Sequence, residues 1–107
     1  MDDRQLVRAL KALADPKRFR MVQEIASAGE LSCGQLGERF ALSQPTISHH
    51  LKLLCDAGVL LMRHDAKHHF LSVNHALLAA LVQALPVTLV PKRRARSKAP
   101  RRPTPRA

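Results

Sequence analysis

Apolar positions along this chain follow two spacings. From residue 6 to residue 54 they recur every three or four positions, from 59 to 73 they form short extended runs, and from 77 to 85 the helical spacing returns. Leu6, Val7, Leu10, Leu13 and Ala14 predict a first helix capped by Asp2 or Asp3. Asp15-Pro16 restarts the chain, with Asp as the cap and Pro at the first helical position. The second helix this predicts has Phe19, Val22, Ile25 and Ala26 as its buried stripe and ends at Gly29. Ser32 is expected to cap a short third helix with Leu36 and Phe40 inward. Ser43 is expected to cap a fourth with Ile47, Leu51 and Leu54 inward, closed by Gly58.

Beyond Gly58 the pattern turns extended. Val59 to His64 and His68 to Val73 predict two strands joined by a tight polar turn at Asp65-Ala66-Lys67. A last helix is expected from Asn74 to Leu85, carrying Leu77, Leu78, Leu81, Val82 and Leu85 and stopping before Pro86. The fold class is mainly α with a β-hairpin wing, a winged helix-turn-helix in the order α-α-α-α-β-β-α.

Charge divides the chain at the end of that pattern. The 107 residues hold 18 Lys and Arg against 8 Asp and Glu, a formal net charge of +10. Eight of the cations, Lys92, Arg93, Arg94, Arg96, Lys98, Arg101, Arg102 and Arg106, fall in residues 87–107, where there is no acid. Residues 1–86 thus carry 10 cations against all 8 acids, a net of +2. Pro91, Pro100, Pro103 and Pro105 interrupt the basic segment, which has too few apolar residues to pack. We expect a folded DNA-binding and dimerisation domain over 1–86 and a disordered, basic, Pro- and Arg-rich tail over 87–107. A strongly basic chain calls for an anionic partner. The apolar stretches are shorter than the roughly 20 residues needed to cross a bilayer, and Met1 to Ala14 does not read as a signal peptide, so no membrane partner and a cytoplasmic location are expected. Cys33 and Cys55 lack any Cys-x-x-Cys spacing and suit a reducing compartment.

The third and fourth helices are separated by Ala41-Leu42 and the cap Ser43, the short connection a helix-turn-helix requires. With Ile47, Leu51 and Leu54 inward, Gln44, Thr46, Ser48, His49 and Lys52 face outward from the second helix of the pair. Gln pairs with adenine edges, Ser and Thr hydroxyls reach bases or phosphates, and Lys neutralises a phosphate. The first turn also presents free N–H groups to phosphate. Arg63 and Lys67 place cations on the wing. The expected DNA-binding set is Ser43, Gln44, Thr46, Ser48, His49, Lys52, Arg63 and Lys67, directed at an operator in double-stranded DNA. The plain alternative, that these polar residues are an ordinary solvated helix face, does not account for the short turn, the wing and the basic chain together.

These residues resemble the ArsR/SmtB winged-helix repressors over nearly all of residues 5–78. The resemblance rests on Ala12-Leu13-Ala14-Asp15-Pro16-Lys17-Arg18, on Glu30-Leu31-Ser32, on Leu42 through Lys52, and on Asp56-Ala57-Gly58-Val59-Leu60. It implies a homodimer joined by the first and last helices, reading a palindromic operator as a repressor that an inducer releases. The strongly apolar first and last helices point to the same dimer, with Leu6, Leu10, Leu77, Leu78, Leu81 and Leu85 at its interface. A two-fold protein would set its reading helices about 34 Å apart, matching successive major grooves.

The resemblance places the thiolates of arsenic sensors where this chain has Ser32 and Gly34, leaving Cys33 between them. One thiol cannot close a three-sulfur or four-ligand site. A second family site begins with Asp and His in the last helix. Here that helix begins Asn74-His75-Ala76, and Val82 to Val87 supplies no second set of ligands. No metal site and no cofactor are expected, and the inducer is unknown. His64, His68 and His69 on the wing and His49-His50 on the reading helix are read as DNA contacts or solvated positions. His68 and His69 point to opposite strand faces and cannot easily share an ion. Redox-sensing relatives usually keep a second Cys in the last helix, whereas Cys55 sits near the end of the reading helix at the edge of its apolar stripe, where a small semi-buried hydrophobe is expected. No Gly-rich phosphate loop, nucleophile elbow or carboxylate pair near a His is present, so no enzyme is expected. Two alternatives stay open: a nonspecific nucleic-acid-binding architectural protein driven by the basic tail, and a thiol- or metal-responsive sensor repressor. Against the first, Phe19, Phe40 and Phe70 are the only aromatics and all fall in apolar patterns.

Overall fold

The computed structural model describes residues 1–90. Five helices and three strands follow in the order α1 (Asp3–Leu13), α2 (Pro16–Ala28), β1 (Leu31–Ser32), α3 (Cys33–Phe40), α4 (Gln44–Asp56), β2 (Leu60–Asp65), β3 (His68–Val73) and α5 (His75–Leu89). The expected winged helix-turn-helix is present, with one strand more than predicted.

Short polar side chains start the helices by satisfying first-turn N–H groups that lack an intrahelical partner. Asp2 Oδ1 accepts from Gln5 N at 2.8 Å while Gln5 Oε1 accepts from Asp2 N at 3.2 Å, a reciprocal cap on α1. Asp15 accepts from Arg18 N at 3.0 Å at the head of α2, where Pro16 gives up no needed donor. Ser32 and Gln35 repeat the reciprocal cap on α3. Ser43 is the N-cap residue of α4, but its hydroxyl does not cap: it pairs with Thr46 Oγ1 at 2.9 Å instead.

The core draws on every element but the wing tip. Met21, Ile25, Leu36, Ile47, Leu51, Leu54, Val59, Leu60 and Leu71 are its largest fully buried side chains, each contributing about 1.5–3 kcal/mol by leaving water. Two residues of the expected α2 stripe lie elsewhere. Phe19 is 51% exposed and Ala26 is exposed, while Met21 takes the inward position beside Val22 and Ile25. The sequence pattern assigned the larger aromatic to the core, but the helix phase set by Val22 and Ile25 turns Met21 inward.

The sheet has the order β1-β3-β2, antiparallel throughout. The two-residue strand β1 pairs Leu31 with Leu71 and Ser32 with Phe70, joining the cap of α3 to the wing. Opposite it, β2 and β3 pair from Leu60↔Val73 to Asp65↔His68. The strand begins and ends one residue later than expected. The turn is Ala66-Lys67, with Ala66 at φ 56°, the left-handed region that tight hairpins need.

Asn74 ties the connection between α4 and β2 to the head of α5. Its backbone N donates to Val59 O at 2.9 Å, its Nδ2 to Gly58 O at 3.0 Å, and its Oδ1 accepts from Leu77 N at 3.2 Å. From there α5 runs through Pro86 to Leu89, past its predicted end. A proline inside a helix deprives the carbonyl four residues earlier of its donor, and here that residue, Val82, is 65% exposed, where solvent is within reach. The boundary expected at residue 86 is therefore not a helix end. Residues 91–107, most of the expected basic tail, lie outside the described residues.

Candidate nucleic-acid interface

No polar or charged side chain among the described residues is buried, so the recognition chemistry lies on the surface. α3 and α4 are joined through Ala41, whose left-handed backbone (φ 52°, ψ 41°) ends α3 and turns the chain into α4. The Gln44 side chain of α4 lies against Gly37 of α3. A Cβ there would run into the Gln44 side-chain amide, so the α4 side chain lies directly over the α3 glycine.

With Ile47, Leu51 and Leu54 fully buried, α4 has one outward face. Ser43, Gln44, Thr46, Ser48, His49 and Lys52 are all exposed. Gln44 and Ser48 share a groove of about 280 Å³ with Lys67 and His69 of the wing, walled by Cys33 at the start of α3. The structure thus brings Gln44, Ser48 and Lys67 together. Lys52 lies further along the helix, where its Nζ donates to Asp56 at 3.0 Å, an exposed pair one turn apart.

Arg63 does not join this groove. Its Nε donates to Glu30 Oε2 at 3.1 Å and its Nη2 to Glu30 Oε1 at 2.8 Å, and its guanidinium stacks 4.6 Å from the centre of the Phe70 ring. These hydrogen bonds hold the Glu30 carboxyl below its ordinary value and push Arg63 up. The wing cation expected to meet phosphate is committed within the chain. Its partner lies 33 residues away, beyond the reach of any local pattern.

A second link joins the reading helix to α2. Arg18 Nε donates to Ala12 O at 2.7 Å, and its Nη1 lies 3.5 Å from His50 Nδ1. Half-buried His50 is pushed down, chiefly by loss of water, with the nearby Asp15 carboxylate opposing the shift. His50, read from the sequence as a DNA contact or a solvated position, is half-buried beside Arg18 of α2, while His49 next to it is exposed. Burial pushes both thiols, Cys33 and Cys55, up, so they hold their protons.

Of the residues expected at a dimer interface, Leu6 and Leu81 are buried in the chain's own core. Leu77, Leu78 and Leu85 are half-buried against that core, and Leu10 is exposed. The apolar residues that α1 and α5 leave in water are Val7 and Leu10 on one and Val82, Val87 and Leu89 on the other. Periodicity marked these helices as apolar but could not separate the face packed within the chain from the face left over.

A helix-turn-helix domain family model matches residues 13–63. The arsenical resistance operon repressor of Staphylococcus aureus is 39% identical over 85 residues, 79% of this chain and 81% of that one. HlyU from Vibrio cholerae superposes with a TM-score of 0.66 at 30% identity, covering 80% of this chain and 95% of that one. The homodimeric winged helix-turn-helix DNA-binding domain Mb0332 from Mycobacterium bovis superposes with a TM-score of 0.64 over 84% of this chain and 91% of that one. At 24% identity, that last likeness concerns the fold alone.

Proposed function

Because the chain belongs to the ArsR family of winged helix-turn-helix transcriptional repressors, regulators and not enzymes, we propose that it represses transcription as a homodimer reading a palindromic operator. In this reading α4 enters the major groove. Gln44, Ser48 and His49 meet base edges, Ser43 and Thr46 meet the backbone at the first turn, and Lys52 and Lys67 meet phosphates. Arg63 joins them only by releasing Glu30. The reading is carried by the polar face of α4: the exposed cap Ser43 and five exposed helical side chains able to donate or accept hydrogen bonds, opposite the fully buried Ile47, Leu51 and Leu54 and beside a wing lysine.

The dimer would form where α1 and α5 leave Val7, Leu10, Val82, Val87 and Leu89 in water, an exposed apolar surface that a second copy would cover. Leu77, Leu78 and Leu85 would border that contact, with Leu6 and Leu81 supporting it from the core. A repressor of this kind in a bacterium acts in the cytoplasm, and no described helix is long and apolar enough to cross a membrane.

The test is fluorescence-anisotropy binding of the full chain to its own upstream duplex and to a scrambled duplex across a salt series. Preference for the upstream duplex supports the specific repressor. If neither duplex is preferred and selection from randomised duplexes yields no motif, the chain binds DNA nonspecifically and the reading fails. Each phosphate contact steepens the log–log salt dependence by about 0.9.

A further inference from the structure

The wing carries two imidazoles to which the proposed duplex contacts assign no role, although His69 borders the groove of Gln44, Ser48 and Lys67. His64 on β2 and His69 on β3 are direct cross-strand partners, with ring centroids 4.3 Å apart and ring planes tilted by 57°. Strand alternation puts them on the face of Met62 and Leu71, whereas Arg63, Phe70, Asp65 and His68 share the other face. Sequence spacing alone drew attention to adjacent His68 and His69, which point apart. The hairpin instead opposes residues five positions apart.

A nitrogen ligand sits about 2.0–2.1 Å from a transition ion, which puts two imidazoles on one ion about 5 Å apart between centroids. The observed separation is already within about an ångström of that, and the broad second torsion of a His side chain absorbs the remainder. Both rings are exposed, and a neutral imidazole always offers one unprotonated nitrogen. We propose that His64 and His69 form a two-imidazole site for a divalent transition ion of the copper, nickel and zinc class.

Imidazole suits these ions and not magnesium or calcium, and affinity within the class should favour copper. Among the described residues no group of three or more His, Cys, Asp or Glu is placed to hold an ion. The remaining coordination positions would be filled by water or an outside ligand, so the ion would be exchangeable. The site lies one register pair from the Ala66-Lys67 turn. An ion there cross-links both strands of the wing and adds positive charge near Lys67. The proposal stands whether or not the duplex reading does.

The test is titration of Cu²⁺, and separately Mg²⁺, into the tag-free full chain by calorimetry, with side-chain NMR of the unmodified protein alongside. A stoichiometric Cu²⁺ site is expected in the unmodified chain and in His68→Ala and His75→Ala, and its loss is expected in His64→Ala and His69→Ala. Paramagnetic broadening should appear first at the His64 and His69 ring signals, a readout that needs no variant to fold. Equal binding by His64→Ala, broadening centred on His49 and His50, or displacement by Mg²⁺ would each overturn the proposal.

Discussion

Arg63 and Glu30 hold each other through two hydrogen bonds across the root of the wing, at 2.8 and 3.1 Å, and the guanidinium that makes them also covers Phe70. A cation bound in this way would have to leave Glu30 to reach a phosphate. Glu30→Gln weakens that hold while leaving the shape intact. We expect tighter binding to every duplex and a salt dependence steeper by about 0.9 if Arg63 gains a phosphate. Unchanged affinity and slope would leave Arg63 a purely structural residue. Anisotropy against salt makes the distinction.

The reading helix should separate two kinds of loss. Ser48→Ala or His49→Ala removes a base-edge contact and should cost about 1–3 kcal/mol on the operator with little effect on scrambled DNA. Lys52→Ala or Lys67→Ala should weaken both duplexes alike. Competition binding with paired duplexes measures the ratio, and equal losses for all four variants would remove α4 from base reading.

Ala41 and Gly58 predict opposite signs. Ala41 occupies the left-handed region at the helix-turn-helix corner, where a side chain costs about 1 kcal/mol relative to glycine. Ala41→Gly should therefore raise stability by roughly that amount in urea denaturation. Gly58 sits at φ 81°, and a Cβ there would lie 2.7 Å from Leu77 Cδ1. Gly58→Ala should lose about 1–2 kcal/mol from strained backbone together with displacement of Leu77.

His50 makes stability depend on pH. Its folded value lies below its ordinary 6.5, so between the two the unfolded chain binds more protons than the folded one. The contribution is present above the unfolded value and is lost as pH falls from there through the lower folded value. Thermal melts from about pH 7.5 down to about pH 5.5 should show Tm falling further for the natural chain than for His50→Gln. Asp15, held low mainly by the Arg18 backbone N–H, acts in a separate window. Its contribution is lost only as pH falls through the carboxylate range.

Features set by neighbours in the chain were legible in the sequence. The caps at Asp2, Asp15 and Ser32, the proline at the head of α2 and the closing Gly29 and Gly58 announced themselves within a few residues. So did the outward face of α4, because Ile47, Leu51 and Leu54 define its inward face. What stayed hidden depends on distant partners. The strand β1 is only two residues long and exists because Leu71 and Phe70 lie opposite it. The Glu30 and Arg63 bridge, the Arg18 and His50 contact and the facing of His64 with His69 all need the folded hairpin or packed helices before the residues meet. Pro86 misled for a similar reason: helix interruption depends on whether the orphaned carbonyl meets water, and exposure is a tertiary property.

Asn74 ties the Gly58-Val59 connection between α4 and β2 to the first turn of α5, since its side chain and its own backbone bond to both. Such a joint behaves as a fulcrum. A tilt of the first turn of α5 would pull on the connection that leads from α4 into β2. In the proposed dimer built on α5, that joint would couple the spacing of the two readers to the way α5 packs, so a mismatched half-site separation would favour bending of the DNA.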